Sequence, residues 1–207
     1  MLTQSISHQK YGAIDVAYIP ELDGGGLTFG QQFIPVVRTL FGHVDHVFEF
    51  CSGPGFIGFS LLSHGLCDRL TLADVNPAAV EVCKLTIAQN SLEDKCRVFL
   101  SDGLDSIPTG QSFDLVVGNP PHFPVPKGEE KNLLRDDIAL ALHKRFYKDI
   151  PPYLKPEGTI LLQENEWANS ENDFRLMIEN DGRLQVMDVF KAISDSRFYF
   201  MMSKLVR

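Results

Sequence analysis

The sequence is poor in cysteine, short of basic residues and free of long apolar runs. Its four cysteines (Cys51, Cys67, Cys83 and Cys96) include no CxxC pair, so the spacing predicts neither a zinc site nor a disulfide framework. No stretch approaches the ~18 consecutive apolar residues that a membrane-spanning helix needs. The first residues lack the charged and apolar regions of a secretory signal. These absences predict a cytoplasmic protein with no membrane or metal partner.

Acidic residues outnumber basic ones, 27 against 19, which gives a net charge of −8. This excess of negative charge argues against sequence-independent binding to nucleic acid or to anionic membranes. The basic residues between positions 127 and 148 alternate with acids, a pattern typical of a solvated face. With 207 residues, 44% of them hydrophobic, the chain is long enough for one domain with a substantial core.

Short apolar runs alternate with helical patterns along most of the chain. The predicted strands cover residues 46–51, 70–74, 96–100, 113–118, 158–164, 184–190 and 198–206, and the predicted helices cover 58–64, 77–90, 133–153 and 174–180. Alternation of this kind predicts a doubly wound α/β fold with a mostly parallel sheet. The last two strands follow each other directly, so we expect an antiparallel pair at one edge. A ligand is then expected at the carboxyl ends of the strands.

Residues 1–45 precede the first predicted strand and form a predicted N-terminal extension, while residues 46–207 form the main domain. The opening shows no clear periodicity and is expected to be irregular. Its glycine-rich part, residues 24–31, predicts either a lid that crosses a bound cofactor or a disordered leader.

A glycine loop joins the first predicted strand to the first helix. Gly53, Gly55 and Gly58 have GxGxxG spacing, which allows a tight turn and close approach of the backbone to a ligand. Asp74 ends the next strand, where a carboxylate can accept hydrogen bonds from ribose hydroxyls. Together these residues predict a cofactor that contains adenosine, and they leave open which one.

Glu49 precedes the loop inside the strand, where dinucleotide folds usually carry an apolar residue. With this acid, the sequence resembles the class I S-adenosylmethionine-dependent methyltransferases, which have a Rossmann-like, seven-stranded sheet with an antiparallel last strand. Cys51 stands where many members have their first glycine, and we interpret it as a small loop filler. The resemblance implies that Asp74 binds the ribose and Asp102 the adenine amino group, with Asp105 as a competitor for the second role.

The cofactor implied by this resemblance is S-adenosyl-L-methionine. The residues that the resemblance assigns to it are Glu49, Cys51, Gly53, Gly55, Gly58, Asp74, Val75, Asp102, Gly103 and Asn119.

The most specific motif is Asn119-Pro120-Pro121-His122, at the end of a predicted strand. It resembles the Asn-Pro-Pro-aromatic motif of methyltransferases that act on exocyclic amino or amide nitrogens. The lone pair of such a nitrogen is delocalised, so it is a poor nucleophile. The Asn119 side-chain oxygen and the Pro120 carbonyl can accept its two N–H bonds, and this aims the nitrogen at the methyl group.

The fourth motif position is His122, where tyrosine or phenylalanine is usual. Its imidazole can stack on a planar acceptor or take up a proton after transfer, and Phe123 can supply the stacking instead. We therefore predict Asn119, Pro120 and His122 as catalytic and Pro121 and Phe123 as substrate-binding. Trp167, Glu164 and Glu166 follow the fifth strand and are expected on the substrate side, whereas His143 is interpreted as structural.

The predicted function is N-methyl transfer to a planar nitrogen of a protein side chain, a nucleobase or a small molecule, with no metal. The motif resembles those of release-factor glutamine and ribosomal-RNA guanine-N2 methyltransferases. Two alternatives stay open. The glycine loop with Asp74 also fits a nicotinamide-dependent oxidoreductase, and the departures at Cys51 and His122 also fit a non-catalytic module that binds the cofactor.

Overall fold

Nine strands and five α-helices make up the part of the chain described by the computed structural model, which covers residues 5–168, 170–193 and 197–207. The strands are β1 (Ser7–Tyr11), β2 (Ile14–Tyr18), β3 (Val44–Phe50), β4 (Cys67–Asp74), β5 (Cys96–Leu100), β6 (Phe113–Gly118), β7 (Leu154–Asn165), β8 (Leu184–Lys191) and β9 (Phe198–Leu205). The helices are α1 (Phe33–Leu40), α2 (Phe56–Ser63), α3 (Pro77–Gln89), α4 (Ala141–Asp149) and α5 (Glu171–Glu179). Over these residues, no helix is both long and apolar enough to cross a bilayer.

Strands β3 to β9 form one seven-stranded sheet in the order β5-β4-β3-β6-β7-β9-β8. The first five strands in this order are parallel to one another. Strand β9 lies between β7 and β8 and runs antiparallel to both. The predicted doubly wound fold, a mostly parallel sheet with an antiparallel last strand, is confirmed.

Helices cover both faces of this sheet, which explains why its strands are apolar without alternation. Leu115 and Val117 of β6 pack in one core with Phe59 of α2, whereas Val116 packs in a second core with Phe146 of α4. These three residues are therefore buried on one side of the sheet or the other, and such burial is the main favourable contribution to folding.

The order of the strands places a crevice at one edge of the sheet. After β3 the chain continues to β4 and β5 on one side, and it then returns to place β6 on the other side of β3. The connections that leave β3 and β6 therefore diverge above the carboxyl ends of these two strands. This divergence leaves room for a ligand, and the candidate site lies there.

The opening of the chain is ordered, so the prediction of an irregular start is wrong. Strands β1 and β2 form an antiparallel hairpin. It docks on α3, because the Ala17 N–H donates to Thr86 Oγ1 at 2.9 Å and the Asp15 N–H donates to Asn90 Oδ1 at 2.9 Å. These partners are distant in sequence, which is why local periodicity does not reveal the hairpin. Residues 1–4 lie outside the described residues, and the division at residue 45 stays a prediction.

The long helix predicted for residues 133–153 is also wrong. Only Ala141–Asp149 form an α-helix, because Ala139 and Leu140 adopt left-handed backbone angles with φ of 53° and 54°. The carboxylate of Asp137 accepts the N–H groups of Leu142 at 2.9 Å and His143 at 3.1 Å. Asp137 thus lies outside α4 and satisfies backbone N–H groups of its first turn. Residues 133–137 remain a loop beside the site.

Candidate active site

The glycine loop turns between β3 and α2 as predicted. Gly53 and Gly55 have φ angles of 49° and 80°, a region that side chains with a Cβ rarely adopt. Gly58 is required for a different reason. A Cβ there would lie 2.5 Å from Leu70 Cδ1 and 2.7 Å from Glu49 Oε2. The third glycine therefore lets helix α2 press against β4 and against the side chain of Glu49.

Glu49 stabilises the end of this loop that leads into α2. Its Oε2 accepts the Gly58 N–H at 2.7 Å and its Oε1 accepts the Ile57 N–H at 3.3 Å. The side chain is buried, and this burial raises the carboxyl pKa to about 8 although the two N–H bonds act in the opposite direction. Glu49 therefore fixes the start of α2 by satisfying backbone donors that the first turn leaves unpaired.

Asp74 fixes the other side of the loop in the same manner. Its Oδ2 accepts the Gly53 N–H at 2.7 Å and its Oδ1 accepts the Asn76 N–H at 2.8 Å. Asn76 caps α3 as predicted, because its side chain accepts the Ala78 N–H at 3.0 Å. Val75 is half exposed at the rim of the cavity. Two acids thus clamp one loop through its backbone.

Cys51 adopts a left-handed backbone with φ of 52°, which explains physically why a glycine suits this position. Burial and the neighbouring acids Asp74 and Asp137 raise the pKa of its thiol well above the usual value. A thiol held protonated in this way is a poor nucleophile. The interpretation of Cys51 as a loop filler agrees with this environment.

The end of β5 supplies Asp102 and Gly103. Asp102 is exposed and pairs with Arg145, with Nη1 3.2 Å from Oδ2, while the same guanidinium reaches Asp105 Oδ2 at 3.0 Å. Gly103 has a φ of 62°, and a Cβ there would lie 2.9 Å from Arg145 Nη2, so the guanidinium would have to move. Of the two acids, Asp102 lines the cavity. Arg145 lines it as well, and sequence analysis missed it because it placed this residue among solvated charges.

These parts surround a cavity of about 530 Å³, within the ~300–1,000 Å³ usual for small-molecule sites. Leu22, Gly24 and Gly26 of the N-terminal segment line it opposite the glycine loop. Residues Leu133, Leu134, Asp137 and Ile138 close a further side. The described residues contain no cluster of histidine, cysteine and acids that could hold a metal ion.

Asn119 lies where this cavity meets a second one of about 380 Å³. Its Nδ2 donates to the carbonyl of Gly24 at 3.4 Å. Its Oδ1 is buried and has no hydrogen-bond partner among the described residues. A buried acceptor without a donor is costly, so this oxygen is suited to a donor that arrives with a ligand.

The second cavity is lined by the rest of the predicted tetrapeptide together with Phe123, Trp167 and Arg197. Trp167 is 68% exposed, and the Arg197 guanidinium lies 4.7 Å from the centre of its ring. The prediction that Trp167 lies on the substrate side agrees with this position. Glu166 instead pairs with Lys191 at the surface, and Glu164 lies beneath the cavity.

His122 is buried and does not present an open face to solvent. Its Nδ1 lies 3.4 Å from Glu164 Oε2, and its ring centre is 4.8 Å from that of Phe123. The N–H groups of His122 and Phe123 both donate to the carbonyl of Arg135, at 3.0 and 2.9 Å. The loop after β6 is thereby fastened to the segment that leads into α4.

Comparison with known proteins places this site in context. Residues 30–192 match the family model described as Methyltransferase small domain. The chain is 26% identical over 155 residues to the release factor glutamine methyltransferase of Clostridium acetobutylicum, which covers 68% of this chain and 53% of that protein. It is 37% identical over 97 residues to ribosomal RNA small subunit methyltransferase C of Salmonella choleraesuis, covering 46% of this chain and 27% of that protein.

Among solved structures, the chain is similar to the 16S rRNA N2 G1207 methyltransferase of T. thermophilus in complex with AdoMet and guanosine. The TM-score is 0.69 with 15% sequence identity, and the match covers 98% of this chain and 50% of that one. The chain thus spans about half the length of the glutamine methyltransferase and about a quarter of the length of the ribosomal RNA methyltransferase.

Proposed function

The chain belongs to the methyltransferase small domain family, and on this premise we propose that it transfers a methyl group from S-adenosyl-L-methionine to a planar amino or amide nitrogen. The observation that carries this proposal is the unpaired, buried Oδ1 of Asn119 where the two cavities meet. A cytoplasmic location, as predicted from the sequence, is part of the proposal.

The first cavity fits an adenosine-containing sulfonium cofactor. Gly53 of the glycine loop lines this cavity without a side chain, so a ligand can approach the backbone closely there. Glu49 and Asp74 would hold the loop in place and offer carboxylate oxygens to the amino group and the ribose. Asp102 and Arg145 would border the base. When bound, the cofactor supplies a strongly electrophilic methyl group, so the protein itself needs only to bind and orient.

The second cavity would hold the acceptor. Asn119 Oδ1 and the Pro120 carbonyl would each accept one N–H of the acceptor nitrogen, and this fixes the direction of its lone pair. Positive charge that develops on the nitrogen during transfer strengthens both hydrogen bonds. Consecutive prolines at 120 and 121 limit the freedom of the loop, so its oxygens keep their positions without help from the substrate.

The acceptor class is proposed from the chemistry of this site. The names of the two relatives specify a glutamine amide and ribosomal RNA, and the solved structure is named for guanine N2. Both nitrogens are planar and carry two hydrogens, so both suit Asn119. A protein side chain, a nucleobase or a small molecule with such a group remains within the proposal.

The cofactor can be tested by thermal unfolding with S-adenosylhomocysteine, S-adenosylmethionine and NADH in parallel. A ligand at a hundred times its dissociation constant adds about 2.7 kcal/mol of stability, which raises Tm by on the order of 5 °C for a chain of this size. A shift with the two adenosyl-sulfur ligands alone is expected. A shift with NADH alone would favour the oxidoreductase alternative and contradict the proposal.

Catalysis can be tested by methyl transfer from labelled cofactor to a glutamine-containing peptide, guanosine and adenosine. We expect Asn119→Ala to lower kcat on the order of 10²–10³-fold, the usual loss when one oriented hydrogen-bonding group is removed. Asn180→Ala, at an exposed asparagine just after α5, is the matched control and should retain full activity. Equal background in the wild type and Asn119→Ala would indicate a non-catalytic module.

A further inference from the structure

We infer that His122 is the group that accepts the proton from the methylated nitrogen, and that the buried side chains of Glu164, His143 and Asp137 hold it in position for this task. The inference rests on the proposed function, because it takes the acceptor nitrogen to lie at Asn119. It assigns a role to Glu164, His143 and Asp137 that the binding of cofactor or acceptor does not require.

The four side chains form a continuous line. His122 Nδ1 lies 3.4 Å from Glu164 Oε2. The other oxygen of that carboxylate, Oε1, lies 3.2 Å from His143 Nε2. The second ring nitrogen of His143, Nδ1, lies 2.7 Å from Asp137 Oδ2. Glu164 therefore lies between two imidazole rings, and His143 lies between two carboxylates.

The line is assembled from separate elements and is almost fully enclosed. His122 follows β6, Glu164 is near the end of β7, His143 belongs to α4 and Asp137 precedes that helix. Glu164 and His143 are 0% exposed, Asp137 is 4% and His122 is 5%. Removing so many ionisable groups from water is expensive, and a well-packed apolar cluster would often be as stable. The position of this line of ionisable groups beneath residues 119–122 points to a role at the site.

His143 and the two acids of the line stabilise one another's charged forms. Burial opposes charge on His143, but the carboxylates of Glu164 and Asp137 outweigh it and raise the pKa to about 9. Burial likewise opposes charge on both acids, but hydrogen bonds and charge from the histidines lower their pKa values overall. At neutral pH Glu164 and Asp137 are thus anions and His143 is a cation. A proton that His122 accepts from the acceptor therefore lies next to the carboxylate of Glu164.

Among the described residues, the other ionisable groups around the line are uncharged at neutral pH or interact with partners outside it. Tyr147 of α4, Tyr199 of β9 and Cys51 after β3 face it, and burial raises the pKa of all three, so they are uncharged at neutral pH. On the side of the second cavity, the Arg135 guanidinium is paired with Asp136. Arg197 stacks over Trp167.

The proton transfer balances with the proposed reaction. The nitrogen lone pair forms the N–C bond while the C–S bond breaks and its electron pair stays on sulfur. The nitrogen is then positively charged, and one of its N–H protons passes to Nε2 of His122, the ring nitrogen that is not turned toward Glu164. The products are S-adenosylhomocysteine, the methylated acceptor and a protonated His122, which returns its proton to water. Stacking on the acceptor is left to Phe123, which lines the same cavity.

The first test separates proton acceptance from stacking with His122→Phe, which restores an aromatic ring usual at this motif position. If His122 accepts the proton, kcat falls about 100-fold, as expected for loss of a general base, while KM for the acceptor changes little. If His122 serves to stack, His122→Phe keeps its full rate, and the inference is overturned.

The second test examines the line without relying on activity. Nitrogen-15 NMR of the histidine rings in the wild type should show a hydrogen of His122 on Nδ1, the ring nitrogen that faces Glu164. In Glu164→Gln we expect this preference to weaken and kcat to fall at least 10-fold. Glu166→Gln, which changes an exposed acid two residues further on, should alter neither. Thermal shifts with S-adenosylhomocysteine verify that each variant folds and binds cofactor.

The outcomes distinguish this inference from the proposed function. A wild type that methylates a probe while His122 carries its hydrogen on Nε2 would overturn the inference and leave the function intact. A wild type that binds cofactor but methylates no probe, with the same background in Asn119→Ala, would refute the function and proton acceptance together. If Glu164→Gln does not fold, His122→Phe still decides the matter.

Discussion

The two cavities of the site are built by different means. On the cofactor side, Glu49 and Asp74 satisfy backbone N–H groups of one loop. On the acceptor side, His122 is held by a carboxylate that is itself held by another side chain. A loop fixed through its backbone depends on the two acids that accept from it, whereas a line of ionisable side chains depends on every member.

The largest effect on stability is expected at Gly58, where the glycine loop is most tightly packed. Gly58→Ala should lower the free energy of unfolding by about 2–3 kcal/mol, because the new Cβ overlaps Leu70 and Glu49 in a packed core. It should also abolish the thermal shift given by S-adenosylhomocysteine. Chemical denaturation measures the first effect.

Gly24→Ala is the matched control for stability. A Cβ at Gly24 would lie 3.9 Å from its nearest neighbour, which is ordinary contact, so stability should change by less than about 0.5 kcal/mol. Equal loss of stability in both variants would contradict the view that crowding at Gly58 matters.

The next largest effect is on the pH dependence of stability. It distinguishes the cofactor side, through Glu49, from the acceptor side, through His143. The pKa of Glu49 is about 8 in the folded chain against a usual 4.5, so the folded chain keeps a proton that the unfolded chain loses. Stability from this group is complete below pH 4.5 and is lost as pH rises toward 8. His143 has a pKa of about 9 against 6.5, so its contribution is lost between pH 6.5 and 9.

Unfolding by urea should therefore show a slope of up to about −1.4 kcal/mol per pH unit for each group in its own window. Glu49→Gln should flatten the curve between pH 5 and 6.5 and leave it unchanged between pH 8 and 9. His143→Gln should do the reverse, apart from a lower stability throughout. If both variants change the pH dependence of stability over the same pH range, Glu49 and His143 do not titrate separately.

The smallest effect concerns Cys51, whose backbone is left-handed. Cys51→Gly should raise the free energy of unfolding by about 1 kcal/mol, because glycine adopts this conformation without the steric penalty. Cys51→Ala keeps the penalty and loses the sulfur, so it should not stabilise the protein. Denaturation of the two variants side by side distinguishes backbone strain from side-chain packing. A gain in Cys51→Ala would contradict the strain interpretation.

Much of the cofactor region could be predicted because its signals are local. The strands Cys96–Leu100 and Phe113–Gly118 have the bounds that their apolar runs predict. The glycine spacing and the cap at Asn76 are likewise local in sequence. The hairpin β1–β2 escaped prediction because it is stabilised through Thr86 and Asn90, about 70 residues away.

The acceptor region was harder to predict for the same physical reason. His143 was interpreted as structural because a lone histidine on a helix gives no sign of its partners. It meets Asp137 because Ala139 and Leu140 interrupt the predicted helix, and it meets Glu164 across the fold. Arg145 was assigned to a solvated face, although α4 aims it at Asp102. Contacts between distant elements bring these side chains together, and no spacing rule encodes them.

The position of β9 bears on where this chain can be divided. The family match ends at residue 192, which includes β8 but stops before β9. In the sheet, β9 lies between β7 and β8 and joins them. A fragment cut at the limits of family similarity would keep β8 without the strand that attaches it and would leave the edge of β7 open to other chains. The boundary of recognisable ancestry and the boundary of autonomous folding are therefore different places in this polypeptide.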